Sequence, residues 1–130
     1  MDRFAGSCFC GDVQITALGR PYRVGLCHCL ECRKHHGALF DAAAVFAQEA
    51  VTVSCETRDY AGRFFYTRCG SPVFARSDDE IEIHLGSLDA ADHLIPTYES
   101  CTVHRAAWLP AFGDTTSYTR DRKTTGRSET

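Results

Sequence analysis

Apolar and polar residues alternate in short runs along the first hundred positions, and turn residues separate these runs. Residues 13–17 and 81–85 alternate most regularly, which is typical of strands with one buried face. Residues 39–46 are apolar at most positions, so periodicity alone does not separate strand from helix there, and we favour a strand. Further short strands are predicted at 22–26, 51–53, 64–66, 73–75 and 97–103. Many short strands divided by turns predict a mainly β fold.

The connections between these strands are predicted to be loops and single helical steps. Residues 27–37 and 58–62 are predicted to be loops, and residues 48–50 a turn or helical step. Asp89 is a candidate N-cap for one helical turn over 89–93. From residue 114 onward the sequence is almost entirely polar, which is typical of a flexible tail. The pattern therefore predicts a single domain over 1–113, followed by a polar tail over 114–130.

Composition and charge exclude several kinds of partner. A formal net charge of −3, with arginines scattered along the chain, provides no basic surface for nucleic acid. No apolar run approaches the length of a membrane span, and no apolar segment typical of a secretory signal follows Arg3. We therefore expect a cytoplasmic protein without nucleic-acid or membrane partners, whose oligomeric state the sequence leaves open. Because structural disulfides are rare in that compartment, the eight cysteines need another explanation.

Two cysteine–glycine pairs are candidates for metal-binding turns. Cys8 and Cys10 would close a strained disulfide ring, but both can reach one metal ion from a bent loop. Gly11 follows directly and can adopt the positive φ that such a turn often needs. Cys69-Gly70 repeats the pattern, so a metal joining Cys8, Cys10 and Cys69 is predicted, across a loop of about sixty residues. The alternative is a set of buried thiols that pack as small hydrophobic groups.

Cys27, Cys29 and Cys32 form a denser cluster. Three thiols within six residues can converge on a tetrahedral ion and leave one vertex free. A redox pair between Cys29 and Cys32 is an alternative, but the flanking βαβ pattern is missing and Cys27 stays unexplained. Another alternative is a closed site in which a neighbouring histidine supplies the fourth ligand: His28, His35 or His36. We favour the metal site.

The residues around these clusters support weaker predictions. Arg33 and Lys34 follow Cys32 and are candidates to bind substrate carboxylates, although a solvated basic edge explains them equally well. Cys55 and Cys101 stand alone in the sequence and are predicted to be buried thiols.

The order of these motifs resembles the glutathione-dependent formaldehyde-activating enzyme family over residues 6–112. The motifs are C-x-C-G, C-H-C-x-x-C-R-K, C-G-x-P and a late alanine-rich step into Trp108-Leu109. The resemblance implies a β-tent, in which twisted antiparallel sheets are pinned by a structural zinc. It places the structural zinc at Cys8, Cys10, Tyr66 and Cys69, and a catalytic zinc at Cys27, Cys29 and Cys32. Tyr66 departs from the family's cysteine, and a neutral phenol is a poor zinc ligand.

The resemblance also implies a reaction. Glutathione, a small-molecule thiol, would bind the open zinc vertex as thiolate and add to an aldehyde, formaldehyde, giving S-hydroxymethylglutathione. The reverse step makes such an enzyme a carbon–sulfur lyase. Glu31 and His28 are candidates to move the proton. The alternative is a non-catalytic zinc-binding interaction or chaperone-like module, in which a protein side chain fills the fourth vertex.

Overall fold

Short strands account for most of the regular structure. The computed structural model describes residues 2–122 and 127–128. In these residues eleven strands and one α-helix, α1 (Leu30–His36), are present. The strands are β1 (Arg3–Ser7), β2 (Gln14–Leu18), β3 (Arg23–Cys27), β4 (Asp41–Ala47), β5 (Val51–Val53), β6 (Arg58–Tyr60), β7 (Arg63–Phe65), β8 (Pro72–Ser77), β9 (Glu80–His84), β10 (Tyr98–Ser100) and β11 (Thr116–Ser117). Single 3₁₀ turns cover Gln48–Ala50, Leu85–Ser87, Ala91–His93 and Thr102–His104.

The strands form two sheets. The smaller has the order β1-β2-β5, and the larger has the order β11-β10-β3-β4-β9-β8-β7-β6. Nearly all neighbours are antiparallel, but β10 runs parallel to both β3 and β11. The predicted mainly β single domain is confirmed, with β10 as an exception to its antiparallel arrangement.

One hydrophobic core includes residues from both sheets. Phe4 and Ile15 come from the smaller sheet, and Phe46, Phe74 and Ile83 from the larger. Burying a side chain of this size contributes about 1.5–3 kcal/mol. Alternation along β2 and β9 directs one face of each strand into this core, as their sequences predict.

The predictions are wrong at several elements. Residues 30–36 form α1 instead of a loop, because Cys29 caps the first turn and Gly37 adopts the left-handed conformation at the end. Residues 58–60 form β6, an exposed edge strand, within the predicted loop. Strand β1 was not anticipated, and β10 is shorter than the predicted strand over 97–103 because Cys101 has a positive φ of 54°.

The start of the polar C-terminal segment lies beside β10. The Thr116 amide donates to the Thr97 carbonyl, the Tyr118 amide to the Glu99 carbonyl, and the Arg120 carbonyl accepts from the Cys101 amide. The boundary at 113/114 stays a prediction, and residues 123–126 and 129–130 of the predicted tail lie outside the described residues.

Over the described ranges, α1 and the 3₁₀ turns are too short and insufficiently apolar to cross a membrane. The structure places no disulfide between any of the eight cysteines, all of which it describes.

Candidate metal centres

The end of β3 and the start of α1 bring Cys27, Cys29 and Cys32 together. Cys27 is the last residue of β3, Cys29 caps α1, and Cys32 lies in the first turn of the helix. The Cys29 sulfur accepts a hydrogen bond from the Cys32 amide at 3.2 Å. All three sulfurs lie within 4.8 Å of one another. The predicted clustering of these three residues is therefore present in the fold.

Hydrogen bonds divide the charge unequally within this cluster. A hydrogen bond from Cys32 lowers the pKa of Cys27 to about 5, and Ser100 and Cys29 act in the same direction. The same contact raises the pKa of Cys32, and burial raises the pKa of Cys29. The cluster therefore favours a thiolate at Cys27 while its neighbours keep their protons, and a cation would draw the remaining thiols toward thiolate.

A cavity of about 510 Å³ opens beside these sulfurs. Basic and acidic groups line it together: Arg23, Glu31, Asp41, Arg63, Glu82, Asp121 and Arg122. Burial lowers the pKa of the Arg63 guanidinium, but its hydrogen bond to Cys32 and the negative charge there raise it. The net effect is a raised pKa. Burial raises the pKa of Glu82, and burial raises that of Asp41 to about 7. The cavity can therefore receive a charged small molecule next to the three sulfurs.

Several lining residues were missed by the sequence analysis. Arg63 comes from β7, about thirty residues after the cluster, and no local pattern marks it. Glu82 lies on β9 between Ile81 and Ile83, and since those two are buried in the core, alternation places Glu82 on the opposite face. That alternation is a signal from which Glu82 could have been found.

The other predicted binding and proton-transfer residues lie elsewhere. Arg33 and Lys34 are on α1 but do not line the cavity, and their role as substrate-binding residues stays a prediction. Glu31 lines it. His28 is fully buried, with its Nε2 2.9 Å from Glu99 Oε1, so it does not reach the cavity as a proton carrier.

Cys101 is not isolated in the fold. It follows Ser100, which pairs with Cys27 across β10 and β3. Burial raises the pKa of the Cys101 thiol to about 12, and the charge and hydrogen bonding of Cys27 add to the effect. Cys101 therefore lies beside the cluster, although its sulfur is outside the group of three.

Cys8, Cys10 and Cys69 form the second cluster. Their sulfurs lie within 4.8 Å of one another, and the Cys8 and Cys10 sulfurs are 3.6 Å apart. Gly11 and Gly70 have φ values of 87° and 76°, so the expected positive φ after each cysteine is present. The Cys8 sulfur accepts from the Val13 amide at 3.3 Å. The turn after β1 and the turn between β7 and β8 therefore face each other.

Tyr66 lies beside this second cluster but has a partner of its own. Its hydroxyl donates to Asp12 Oδ2 at 3.0 Å, and Arg68 Nη1 donates to the same oxygen at 2.8 Å. The hydrogen bond to Asp12 raises the pKa of Tyr66 to about 12. The phenol therefore stays protonated and paired. The Cys55 thiol donates to the Asp12 carbonyl at 3.6 Å and does not belong to the group of three.

Both clusters fit zinc by donor type and spacing. A tetrahedral zinc with sulfur bonds of about 2.3 Å holds its sulfurs about 3.8 Å apart, close to the separation of the Cys8 and Cys10 sulfurs. Each cluster supplies three thiols. Among the described residues, no histidine, cysteine or carboxylate adds a fourth ligand atom within 4.8 Å of all three sulfurs. Three protein ligands with one open position are typical of catalytic zinc sites, whereas structural zinc sites are almost always closed by a fourth protein ligand.

The fold and these clusters define a mainly β protein with two cysteine sites suited to metal. The profile of the family described as glutathione-dependent formaldehyde-activating enzyme matches residues 3–104. The chain belongs to that family. No curated protein matches the chain.

A solved structure supports the fold. A crystal structure of a Rhodobacter sphaeroides protein superposes with a TM-score of 0.51 at 20% identity, covering 65% of this chain and 87% of that one. At this identity the similarity concerns the fold alone.

Proposed function

We propose that this protein catalyses the reversible addition of a small thiol to an aldehyde at the Cys27–Cys29–Cys32 cluster, with glutathione and formaldehyde as the pair that its family indicates. In the cleavage direction it is a carbon–sulfur lyase acting on S-hydroxymethylglutathione. The observation that carries the proposal is the convergence of three sulfurs on a charged cavity of about 510 Å³. Cys27, Cys29 and Cys32 would hold a zinc ion, which would stabilise an incoming thiol as its thiolate.

The residues of the cavity supply binding and proton transfer. Arg63 adjoins Cys32 and pairs with Glu31, which is mostly exposed, at 3.3 Å, so a substrate carboxylate can compete for its guanidinium. Arg23 is less available, because Glu80 holds it at 2.8 Å. We therefore assign carboxylate binding first to Arg63, ahead of Arg33 and Lys34.

Glu82 lines the same cavity and can carry the proton between substrates. Its carboxylate accepts the proton that the thiol loses when it binds as a thiolate, before the sulfur attacks the carbonyl carbon. A carbon–sulfur bond forms, the carbonyl π bond breaks, and Glu82 returns the proton to the developing alkoxide. The reverse sequence releases thiol and aldehyde. The reaction needs no oxidant. This agrees with the free thiols of the structure and with the cytoplasmic location that we propose.

Exchange NMR with glutathione and formaldehyde tests this function. Zinc-loaded protein should accelerate formation and cleavage of the adduct above the uncatalysed rate, and Cys29→Ser should abolish the acceleration. Cys55→Ser is the matched control, since Cys55 lies outside both clusters. Adduct exchange no faster with wild type than with Cys29→Ser would overturn the proposed reaction.

A non-catalytic zinc module is the second candidate, and the position of Cys101 favours it. If Cys101 moves to fill the fourth vertex, the cobalt-substituted cluster has four thiolates, and its visible spectrum should not change when glutathione is added. In Cys101→Ser the vertex is open again, so the spectrum should change with glutathione. In the enzyme, wild type itself should respond, since an incoming thiolate changes the ligand field and charge-transfer bands.

A further inference from the structure

A third group of metal-ligand side chains lies where α1, β4 and β9 meet. His36 is the last residue of α1, Asp41 the first of β4, and His84 the last of β9. One ligand atom from each lies within 4.8 Å of the others. His36 Nε2 is 3.3 Å from Asp41 Oδ1, and the His36 and His84 ring centroids are 4.2 Å apart.

Little water surrounds the three side chains. Asp41 and His84 are each only 6% exposed, and the His36 side chain is 14% exposed. Polar groups that are taken out of water need a compensating partner, so this cluster requires an interaction that offsets its desolvation.

One nitrogen of this group also lacks a partner. Among the described residues nothing forms a hydrogen bond with His84 Nδ1, which has no solvent contact. Buried polar atoms nearly always have a partner, so an unpaired one requires an explanation. A bound cation would provide it, because a neutral imidazole nitrogen is a metal ligand.

We propose that His36, Asp41 and His84 bind a divalent transition-metal ion such as Zn²⁺, at a third site separate from the two thiol clusters. Tetrahedral bonds of about 2.0–2.1 Å to nitrogen and oxygen place neighbouring ligand atoms about 3.3 Å apart, which is the His36–Asp41 separation. Two imidazoles and one carboxylate suit zinc, iron or cobalt ions, whereas calcium and magnesium select all-oxygen sites.

The surroundings allow the ion to enter and leave. The three side chains line a cavity of about 600 Å³, together with Phe40 and Ser87. On another side they line a smaller cavity of about 200 Å³, which is also lined by Cys32, Arg63, Arg76 and Glu82. Asp41 lines the cavity beside Cys27 as well, so the third site and the proposed catalytic cluster share one wall.

Cadmium substitution distinguishes this site from the thiol clusters, because ¹¹³Cd bound by nitrogen and oxygen resonates far upfield of ¹¹³Cd bound by thiolates. Wild type should show one upfield signal in addition to those of the cysteine sites. His36→Gln and His84→Gln should each lose that signal alone, with at least about 100-fold weaker binding of the third ion. His93→Gln, an exposed histidine outside the group, should keep it.

Zinc counted after gel filtration gives an independent readout, with one equivalent fewer expected in each variant than in wild type. His36→Gln carries the test if His84→Gln does not fold, since His36 is the less buried of the two. A wild type without the upfield signal, or a His36→Gln variant that retains it, would overturn the proposal. Neither readout depends on activity, so failure here leaves the proposed function intact.

Discussion

At the scale of single residues, Glu99 shows how a buried charge is stabilised behind the cysteine cluster. It has no exposed surface, yet it accepts hydrogen bonds from His28, Arg105, the Phe112 amide and Thr115. Burial alone would raise its pKa, but these donors together lower it to about 2. The carboxylate therefore connects the start of the cysteine segment to the residues after β10.

Replacing Glu99 should cost more stability than a surface change. In Glu99→Ala, His28 and Arg105 lose their shared acceptor inside the protein, and we expect a loss of about 3–5 kcal/mol in urea unfolding. Glu99→Gln keeps an acceptor oxygen and should lose less. Equal losses in the two variants would contradict a role for the charge.

The same residue predicts a pH dependence. Its pKa falls from an ordinary 4.5 to about 2 on folding, so the unfolded chain takes up the proton first. The stability contributed by the ionised group is complete above about pH 4.5 and is lost as pH falls toward 2. Between these values, wild-type stability should fall more steeply than that of Glu99→Gln. Parallel curves would show that the carboxylate titrates normally.

Tyr66 permits a gain-of-ligand experiment. Because its phenol is paired with Asp12 and its pKa is raised to about 12, it leaves the second cluster with three thiols. Tyr66→Cys should increase the zinc retained through dialysis against a strong chelator and should raise the melting temperature. Tyr66→Phe removes the hydroxyl without adding a ligand and should not. If wild type already keeps this zinc and Tyr66→Cys gains nothing, three thiols suffice.

At the scale of elements, a glycine permits the close pairing of β3 and β10. Gly25 and Tyr98 are register partners, and a Cβ at Gly25 would lie 2.1 Å from the Tyr98 ring. Both residues line the cavity beside the cysteines. The aromatic ring therefore covers β3 at a position where any larger side chain would collide with it.

Gly25→Ala should destabilise the protein by about 1–3 kcal/mol through this overlap, measured by urea unfolding. Gly86→Ala is the matched control, because a Cβ there meets nothing within 4 Å, and its effect should stay small. A Gly25→Ala variant as stable as Gly86→Ala would show that the Tyr98 ring moves aside freely.

Sequence patterns identified the elements whose signals are local. β2 and β9 were found because alternation marks a half-buried strand. α1 was missed because four of its seven residues are charged or histidine positions in a row after Cys32, with no apolar period. The parallel position of β10 could not be predicted, since it depends on pairing with a strand 73 residues earlier, Tyr98 with Gly25.

At the scale of the whole molecule, the Cys8–Cys10–Cys69 cluster joins the two sheets. Cys8 and Cys10 follow β1 of the smaller sheet, and Cys69 lies between β7 and β8 of the larger. Spacing predicted both thiol clusters because their ligands are close in sequence or repeat one motif. Arg63 was not predicted, because sheet pairing alone brings it to the cavity beside the cysteines. His84 was not predicted either, because the pairing of β4 and β9 is what brings it to Asp41 and His36.

A metal ion between the sheets should make stability depend on free zinc. Binding only to the folded state adds about 2.7 kcal/mol when free zinc reaches a hundred times its dissociation constant. The melting temperature of wild type should therefore rise with buffered zinc, and that of Cys69→Ser should rise less. Cys55→Ser should follow wild type. Identical zinc dependence in all three would place the stabilising ion elsewhere.

The parallel strand β10 also has a consequence during synthesis. As the nascent chain leaves the ribosome, Cys27, Cys29 and Cys32 emerge long before Glu99, the partner of His28 71 residues later. Until then β3 has an open edge, since Tyr98–Ser100 completes its pairing from the far side. Non-local pairs form late because closing a long loop costs entropy. The cysteine pocket is therefore among the last parts to close, and its thiols meet the cellular metal and oxidant pools while still uncovered.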